Sequence, residues 1–202
     1  MTHSPSSDNP WLVVIDMQNI FSDQYPNPVW STHDFHKIIP NIKKLADSGR
    51  YADRTLITRF VAGSDRKGSW VDYYLGNKGA DVPDFDILYD IIPELKYLVD
   101  TGSDVDKVVT QTTFNKWGDE KSGVRAKTGE CPHLILTGVA LGCCVLSTAM
   151  AAAEAGAYVT IASDACSDTD EGISATTTII NGAYQPGLIT LKTVDEILKD
   201  HG

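Results

Sequence analysis

The chain has 202 residues, which suits one α/β domain that buries its core without disulfides or a structural metal. Apolar residues make up 42% and charged residues 22%, a balance typical of folded rather than disordered proteins. The 27 acidic and 17 basic residues give a net charge of −10, which argues against nucleic acid or an anionic membrane surface as a partner. No apolar run is long enough to cross a bilayer and residues 1–10 carry no secretory signal, so the expected location is cytoplasmic.

Apolar runs alternate with helical periodicity along the chain. A continuous apolar run at 11–15 predicts a strand that is buried on both faces, and apolar residues at helical spacing over 34–48 predict a helix that ends before Gly49. The predicted elements that follow are, in chain order, a strand at 54–60, a helix at 90–99, strands at 107–111 and 134–138, an alanine-rich helix at 144–155, a strand at 158–162, a helix at 171–181, a strand at 188–191 and a helix at 194–199.

Repeated β-α units with apolar strands predict a three-layer α/β/α fold around a six-stranded, mostly parallel, Rossmann-like sheet. We expect one domain over residues 1–202, with 1–10 as a flexible tail. The segment 64–89 is long and irregular in pattern, and we expect it to cover the site or to reach a neighbouring subunit. Ligands of such sheets bind beyond the carboxyl ends of the strands. Function is therefore expected just after Ile15, Phe60, Gln111 and Gly138.

Two residues beyond predicted strands suit catalysis. Asp16 follows the first strand directly, where a partly desolvated carboxylate is suited to proton transfer, although a capping role is the simpler interpretation of this segment alone. Cys144 lies where the segment 138–145 leads into the alanine-rich helix, and the free N–H groups of a helix start favour a thiolate and can bind an oxyanion. The alternative is that Cys143 and Cys144 are small core residues.

The four cysteines predict neither a disulfide framework nor a zinc site. Adjacent Cys143 and Cys144 can hardly pair with each other, so we expect free thiols. His33 and His36 have a spacing that a metal would accept. No third ligand is near them in the sequence, and a solvated helix start is the expected role.

Three segments carry a further signal. They are IDMQ at 15–18 followed by Phe21, TRFV at 58–61 with Trp70, Tyr73 and Tyr74 downstream, and LTGVA at 136–140 leading into CV at 144–145 and DA at 164–165. Their order and spacing span nearly the whole chain and resemble the isochorismatase-like cysteine hydrolases, the family that includes nicotinamidases and N-carbamoylsarcosine amidases.

This resemblance implies the roles of several residues. Cys144 would be the nucleophile and Asp16 the base that deprotonates it. A cis peptide bond between Val139 and Ala140 would aim the backbone amides of Ala140 and Cys144 at the carbonyl oxygen of the substrate. Cys143 would be a packing residue.

The third catalytic position departs from the family pattern. The family has a lysine at the end of the third strand, and an alignment without gaps places Gln111 there. Gln111 can donate hydrogen bonds to Asp16 but carries no positive charge.

Three interpretations of this departure stay open. In the first, Gln111 orients Asp16 in a working enzyme. In the second, Lys116 or Arg59 supplies the missing charge. In the third, the protein has lost hydrolysis and acts as a small-molecule binding protein.

The resemblance also narrows the reaction. Nicotinamidase-like members carry an Asp-Xaa-His pair after the second strand, but the segment 61–68 has no histidine, so we expect no catalytic metal, no other cofactor and a substrate other than nicotinamide. Isochorismate cleavage in this family does not need the cysteine, so Cys144 favours hydrolysis of a small amide or carbamoyl C–N bond through a thioester. The candidate substrate-binding residues are Phe21, Arg59, Trp70, Tyr73, Tyr74 and Trp117. Family members are usually oligomeric, so a homodimer or homotetramer is expected.

Overall fold

The structure is a computed structural model that describes residues 9–26, 29–99 and 107–200. Its strands are β1 (Trp11–Ile15), β2 (Thr55–Phe60), β3 (Val108–Gln111), β4 (His133–Val139), β5 (Tyr158–Ser167) and β6 (Ile189–Lys192). They form one sheet in the order β3-β2-β1-β4-β5-β6, and every neighbouring pair is parallel. The predicted sheet is therefore confirmed. Apart from residues 9 and 10, the predicted tail at 1–10 lies outside the described residues.

Helices cover both faces of this sheet. The α-helices are α1 (Ile39–Ala46), α2 (Ser69–Gly76), α3 (Gly123–Thr128), α4 (Leu146–Glu154), α5 (Asp170–Ile179) and α6 (Val194–Asp200). Short 3-10 segments lie at Asn19–Phe21, Phe35–Ile38, Lys78–Ala80, Ile87–Tyr89 and Pro93–Leu98, and π-helical turns lie at Leu141–Val145 and Ile180–Tyr184. Across the three described ranges, no helix is long and apolar enough to cross a membrane.

Two predicted elements differ from the structure for local reasons. The predicted helix at 90–99 is a 3-10 segment, in which the three-residue spacing of Leu95 and Leu98 lets both side chains face the core. The predicted strand at 158–162 continues to Ser167, because its end pairs with the end of β4 beyond an irregularity in register.

The expectation of an irregular segment at 64–89 is wrong in part, because this segment contains α2 and two 3-10 turns. Aromatic contacts hold α2, since Tyr74 is buried and its ring stacks on that of Phe60 with centroids 6.5 Å apart. Val71 and Leu75 in the same helix are exposed, so apolar spacing does not mark a single buried face. The sequence also gave no signal for α3, whose six residues are too few to show a periodicity.

Alternate residues of β1 supply two hydrophobic cores, one on each face of the sheet. Leu12 and Val14 pack in the core that includes α1 and α6. Val13 and Ile15 pack in the core that includes α3 and α4. Burial on both faces explains why β1 is apolar without interruption.

The carboxyl ends of β1 and β4 approach each other closely. Gly138 pairs with Ile15, and a Cβ added to Gly138 would lie 2.1 Å from the Ile15 carbonyl oxygen. The φ angle of Gly138 is +101°. Both this backbone conformation and the close approach to Ile15 therefore require glycine. Because α1 and α4 follow these two strands on opposite faces, a crevice opens at the strand ends, where a parallel sheet binds its ligands.

Candidate active site

Asp16 lies at the end of β1 with a fully buried side chain. Its backbone N–H donates to the hydroxyl oxygen of Thr58 in β2 (3.1 Å), and that hydroxyl donates to Asp16 Oδ1 (2.6 Å). The φ angle of Asp16 is +51°, a left-handed conformation in which aspartate is one of the more tolerant residues. The neighbouring strand therefore holds this carboxylate in one orientation.

Lys116 supplies a positive charge to this carboxylate. Its Nζ lies 3.0 Å from Asp16 Oδ2, and both side chains are 0% exposed. The ammonium donates to the carbonyl oxygen of Thr113 (2.7 Å) and lies 4.6 Å from the centre of the Phe60 ring. Asp16 Oδ2 receives no well-directed hydrogen bond from any described residue, so the two groups interact by charge while this oxygen can still accept a proton.

The structure contradicts the expected pairing of Gln111 with Asp16. Gln111 ends β3 with a half-buried side chain, and the described hydrogen bonds and ion pairs of the Asp16 carboxylate go to Thr58 and Lys116. After β3 the chain turns back and brings Lys116 to the carboxylate. The ungapped alignment misplaces the lysine, because the partner of a buried charge is set by proximity in space rather than by sequence register.

Cys144 lies in the π-helical turn Leu141–Val145 that leads from β4 into α4. The peptide bond between Val139 and Ala140 is cis, as the resemblance implied. The N–H of Val145 donates to the carbonyl oxygen of Ala140 (3.2 Å), which closes the turn. The sulfur of Cys144 is consequently presented at the strand end rather than along the side of the helix.

Thr148 links the helix after Cys144 to the lysine. Its hydroxyl donates to the carbonyl oxygen of Cys144 (2.7 Å) and accepts the backbone N–H of Lys116 (2.9 Å). Thr148 is fully buried, so both bonds are shielded from water. One side chain thus fixes the relative positions of the two segments that carry Cys144 and Lys116.

The surroundings of the Cys144 thiol oppose its ionisation. Its interaction with Cys143, its burial and the negative charge of Asp16 raise its pKa well above the ordinary thiol value. The charge of Lys116 lowers that pKa and offsets the rise only in part. The preference for a thiolate expected from the helix start is therefore opposed by burial and by the neighbouring carboxylate.

A cavity of about 280 Å³ opens at Cys144 and Ala140. Its apolar lining consists of Phe21, Trp30, Phe60, Tyr73 and Phe114. Its polar lining consists of Ser31, Thr32, His33, Cys143, Asp168 and Thr169. Cys143, expected to be a packing residue, is half-buried and contributes to this lining as well as to the core.

The aromatic residues of the lining hold one another in place. The Trp30 ring stacks on that of Phe21 with centroids 5.9 Å apart and lies 5.7 Å from Phe60 and 5.9 Å from Tyr73. Its indole N–H donates to the side-chain oxygen of Asn77 (3.0 Å), just after α2. This network gives the cavity an apolar wall whose rings come from a 3-10 turn, a loop, the end of β2 and the helix α2.

Three of the predicted substrate-binding residues lie at or behind this wall. Phe21 and Tyr73 line the cavity. Trp70 stands behind them, with its ring 5.4 Å from that of Tyr73 and 5.1 Å from that of Phe114. Tyr74 does not line the cavity, because its side chain is buried in the core beneath α2.

Trp117 and Arg59 lie elsewhere, so their prediction as substrate-binding residues in this cavity is wrong. Trp117 is 3% exposed and packs in the core beside α3 and α4. The guanidinium of Arg59 donates to the backbone carbonyl oxygens of Tyr89 (3.0 Å) and Asp84 (2.8 Å). These bonds hold it at a separate surface cavity and away from Asp16.

Several lining residues carried no recognised sequence signal. Asp168 and Thr169 follow β5 directly, so the rule that ligands bind at strand ends would find them once β5 is extended to Ser167. His33, expected at a solvated helix start, lines the cavity. Trp30 lies between the predicted strand at 11–15 and the predicted helix at 34–48 and has no signal of its own.

Metal binding has little support from the described side chains. Within residues 9–26, 29–99 and 107–200, no group of three or more His, Cys, Asp or Glu residues could hold a metal ion. The expectation of a site without metal or other cofactor stays a prediction.

The chain is similar to several known proteins. A family model, the Isochorismatase domain, matches residues 10–187. Comparison with curated proteins finds no significant match. Among solved structures, the chain resembles an isochorismatase-like hydrolase from Alkaliphilus metalliredigens, with 20% identity, a TM-score of 0.72 and coverage of 96% of this chain and 100% of that chain.

Two further solved structures show the same fold. A cysteine hydrolase from Pseudomonas syringae pv. phaseolicola has 19% identity and a TM-score of 0.75, covering 96% of this chain and 92% of that chain. An N-carbamoylsarcosine amidase from Thermoplasma acidophilum has 20% identity and a TM-score of 0.66, covering 93% of this chain and 97% of that chain. Such identities show the fold alone, whereas the family model spans most of the sequence, and the chain therefore belongs to the isochorismatase family.

Proposed function

We propose that the protein is a cysteine-dependent hydrolase of a small amide or carbamoyl C–N bond and that it acts through a thioester intermediate. One observation carries this proposal: Lys116 forms a fully buried ion pair with Asp16, and Thr148 joins the backbone of Lys116 to that of Cys144 through two hydrogen bonds. A thiol, a base and a cation at one end of a small cavity are the groups that acyl transfer requires.

The first half of the reaction forms the thioester. Asp16 Oδ2, which has no directed hydrogen bond from the described residues, takes the proton of Cys144, and the thiolate attacks the substrate carbonyl carbon. The C=O electron pair moves to oxygen, and the backbone N–H groups of Ala140 and Cys144 stabilise this oxyanion. The carbonyl then re-forms, the C–N bond breaks, and the amine leaves with the proton that Asp16 held.

The second half releases the acid. Water attacks the thioester carbon while Asp16 takes one of its protons. When the new tetrahedral intermediate collapses, the C–S bond breaks and the sulfur of Cys144 recovers a proton from Asp16. The protein ends in its starting state, and one water molecule is consumed for each C–N bond broken.

Lys116 balances the charge throughout this cycle. Before proton transfer the negative charge is on Asp16, and afterwards it is on the sulfur of Cys144. In both states the ammonium of Lys116 is the neighbouring positive charge, and a buried negative charge needs such a partner. The alternative of a binding protein without hydrolysis depended on a missing lysine, so Lys116 removes the reason for it.

The cavity limits the class of substrate. A volume of about 280 Å³ admits a compact molecule, and the five aromatic residues of its lining favour an apolar or cationic portion in that molecule. A peptide or a polymer would not fit. Small primary amides and N-carbamoyl compounds are the substrates that the size and the chemistry support.

The proposal is tested by assaying ammonia release from a panel of small amides and N-carbamoyl compounds. Cys144→Ala is expected to lower turnover at least about 10³-fold, because it removes the nucleophile. Cys131→Ala is the matched control, since this exposed thiol lies outside the cavity and its loss should leave the rate unchanged. Mass spectrometry of acid-quenched protein should detect the acyl group on the peptide that contains Cys144. Full turnover by Cys144→Ala, or acylation at another residue, would overturn the proposal.

A further inference from the structure

The cavity lining contains one carboxylate, that of Asp168, which follows β5. Its Oδ2 accepts the backbone N–H of Gly142 (2.7 Å), and its Oδ1 accepts the backbone N–H of Thr169 (2.7 Å). Gly142 lies in the same π-helical turn as Cys144. The carboxylate is therefore attached to the turn that presents the sulfur, and it retains lone pairs that can accept a hydrogen bond from a ligand.

Two glycines make room for this side chain. A Cβ added to Gly172 would lie 2.6 Å from Asp168 Cγ, which real Cβ atoms do not approach. A Cβ added to Gly142 would lie 3.2 Å from Asp168 Oδ2. Asp168 is thus closely enclosed between the turn and α5, so its charge has a defined position at the cavity rather than the freedom of a surface acid.

No lysine or arginine belongs to the described lining of this cavity. The nearby ammonium of Lys116 is fully buried and held by Asp16 (3.0 Å) and by the carbonyl oxygen of Thr113 (2.7 Å). His33 also belongs to the lining, and its Nδ1 lies 3.7 Å from Asp34 Oδ2. Among the described residues of the lining, a substrate therefore meets one carboxylate and neither an ammonium nor a guanidinium group.

The aromatic wall adds to the preference for a cation. The rings of Trp30, Phe21 and Tyr73 line the same space as Asp168. Aromatic faces attract cations, and a carboxylate beside them strengthens that attraction. A substrate carboxylate would instead be repelled by Asp168 and would lose its hydration without gaining a partner.

We propose that Asp168 is a specificity-determining residue, which selects small amides that carry an ammonium or other cationic group against amides that carry a carboxylate. This inference rests on the proposed function in one respect, namely that the substrate occupies this cavity. Because the turn that Asp168 binds also contains Cys144, the amide and the cationic group are separated by a short chain.

Charged thiol reagents test the selectivity without a substrate. The cationic reagent is aminoethyl methanethiosulfonate and the anionic one is sulfonatoethyl methanethiosulfonate, applied at pH 8 to the full chain, with labelled peptides quantified by mass spectrometry. We expect the cation-to-anion rate ratio at the cavity thiols Cys143 and Cys144 to exceed that at the exposed Cys131 by about tenfold or more. Because the net charge of the whole chain affects all thiols, comparison with the rate ratio at Cys131 in the same molecule removes that effect.

Asp168→Asn is the decisive variant, because the amide oxygen can still accept a backbone N–H while the charge is lost. In this variant the cation-to-anion rate ratio at Cys143 and Cys144 should fall to within about threefold of the same ratio at Cys131. Asp65→Asn, which removes an exposed charge outside the cavity, should leave it unchanged. An equal cavity ratio in the wild type and Asp168→Asn, or a wild-type ratio no higher than at Cys131, would overturn the proposal.

Matched substrates separate this inference from the proposed function. Butanamide, 4-aminobutanamide and succinamate differ mainly in charge, and kcat/KM should rank the cation first and the anion last, with the spread narrowed about tenfold or more in Asp168→Asn. Hydrolysis of all three with equal efficiency would reject the selectivity and keep the hydrolase. If no amide is hydrolysed but the thiol reagents still show the preference, the cation-selecting cavity stands and the hydrolase is rejected.

Discussion

The cavity has a polar floor and an aromatic wall, and the two regions are held by different forces. The floor consists of Asp16, Thr58, Lys116 and Cys144, of which Cys144 lines the cavity and the other three are fully buried behind it. The wall consists of Phe21, Trp30, Tyr73 and Phe114. In the floor, side-chain hydrogen bonds join segments that are distant in sequence, as from Thr58 to Asp16 and from Thr148 to Cys144. The two opposite charges, on Asp16 and Lys116, are fully buried. In the wall, rings from a 3-10 turn, from two loops and from α2 pack against one another with centroids 5.8–5.9 Å apart.

This difference indicates which residues can be substituted at a low cost in stability. Removing one partner of the buried ion pair leaves the other charge without compensation, so the floor must be kept as a unit. A ring of the wall can be exchanged at the cost of its packing alone. We therefore infer that the floor sets the type of reaction and that the wall, together with Asp168, sets the substrate.

The largest expected effect follows from removing the lysine of the floor. Lys116→Met leaves the Asp16 carboxylate buried without a cation, so the free energy of unfolding should fall by about 3–5 kcal/mol and turnover should be lost. Urea unfolding at neutral pH, followed by circular dichroism, measures this. Lys107→Met is the matched control, since this buried lysine donates to the carbonyl oxygen of Ala52 and has no described carboxylate partner. Its cost should be about 1–3 kcal/mol.

Two further variants make the lysine experiment decisive. The double change Asp16→Asn with Lys116→Met should recover part of the lost stability, because no unpaired charge remains. Gln111→Ala should change stability by less than about 0.5–1 kcal/mol, because Gln111 is not part of the buried pair. An effect of Gln111→Ala as large as that of Lys116→Met would reject the assignment of the lysine position.

A smaller effect is expected in the wall. Phe114 contacts the rings of Phe60 (5.5 Å), Trp70 (5.1 Å) and Tyr73 (5.8 Å) and is itself partly exposed to the cavity. Phe114→Ala should therefore cost about 2 kcal/mol of stability, below the usual value for a fully buried phenylalanine. Because the cavity enlarges, KM for small amides should rise while kcat changes little. Phe85→Ala, at a residue that is 88% exposed, should alter neither quantity.

The smallest effect concerns a tyrosine behind the wall. The fully buried Tyr89 accepts the N–H of Ala62 (3.1 Å) and donates to the carbonyl oxygen of Ala80, which ties the ends of the segment 62–89 together. Burial raises the pKa of Tyr89 to about 12, although the hydrogen bond from the Ala62 N–H lowers it in part. Tyr89→Phe should cost about 1 kcal/mol at pH 7.

The contribution of Tyr89 to the free energy of unfolding decreases as the pH rises. The unfolded chain releases the phenol proton near pH 10, whereas the folded chain keeps it until about pH 12, so rising pH favours unfolding within that window. Tyr89 alone contributes a loss of about 1.4 kcal/mol for each pH unit. The advantage of about 1 kcal/mol is smaller than the loss over this window, so the stabilities of wild type and Tyr89→Phe should cross within about one pH unit above pH 10, and Tyr89→Phe should be the more stable protein at pH 12. Parallel curves in alkaline unfolding experiments would show that Tyr89 does not titrate in this way.

Much of the fold could be predicted from local sequence. The apolar run of β1 and the alanine-rich sequence of α4 have a single simple interpretation, and the resemblance placed Asp16 and Cys144 at the strand ends where the structure has them. The helix α2 could not be predicted, because its contacts are aromatic and come from residues distant in sequence. The extension of β5, and with it Asp168, depends on pairing with β4 rather than on propensity.

The sequence by itself determined the six strands in chain order, the helices α1, α4, α5 and α6, the family resemblance, and the nucleophile and base that the resemblance implies, since these depend on residue type and spacing. The tertiary structure decided which cation accompanies Asp16 and which side chains form the wall. A buried carboxylate is stabilised by whichever positive charge lies within a few ångströms, and that distance is set by how the chain turns after β3. For this reason Lys116, rather than Gln111, completes the floor.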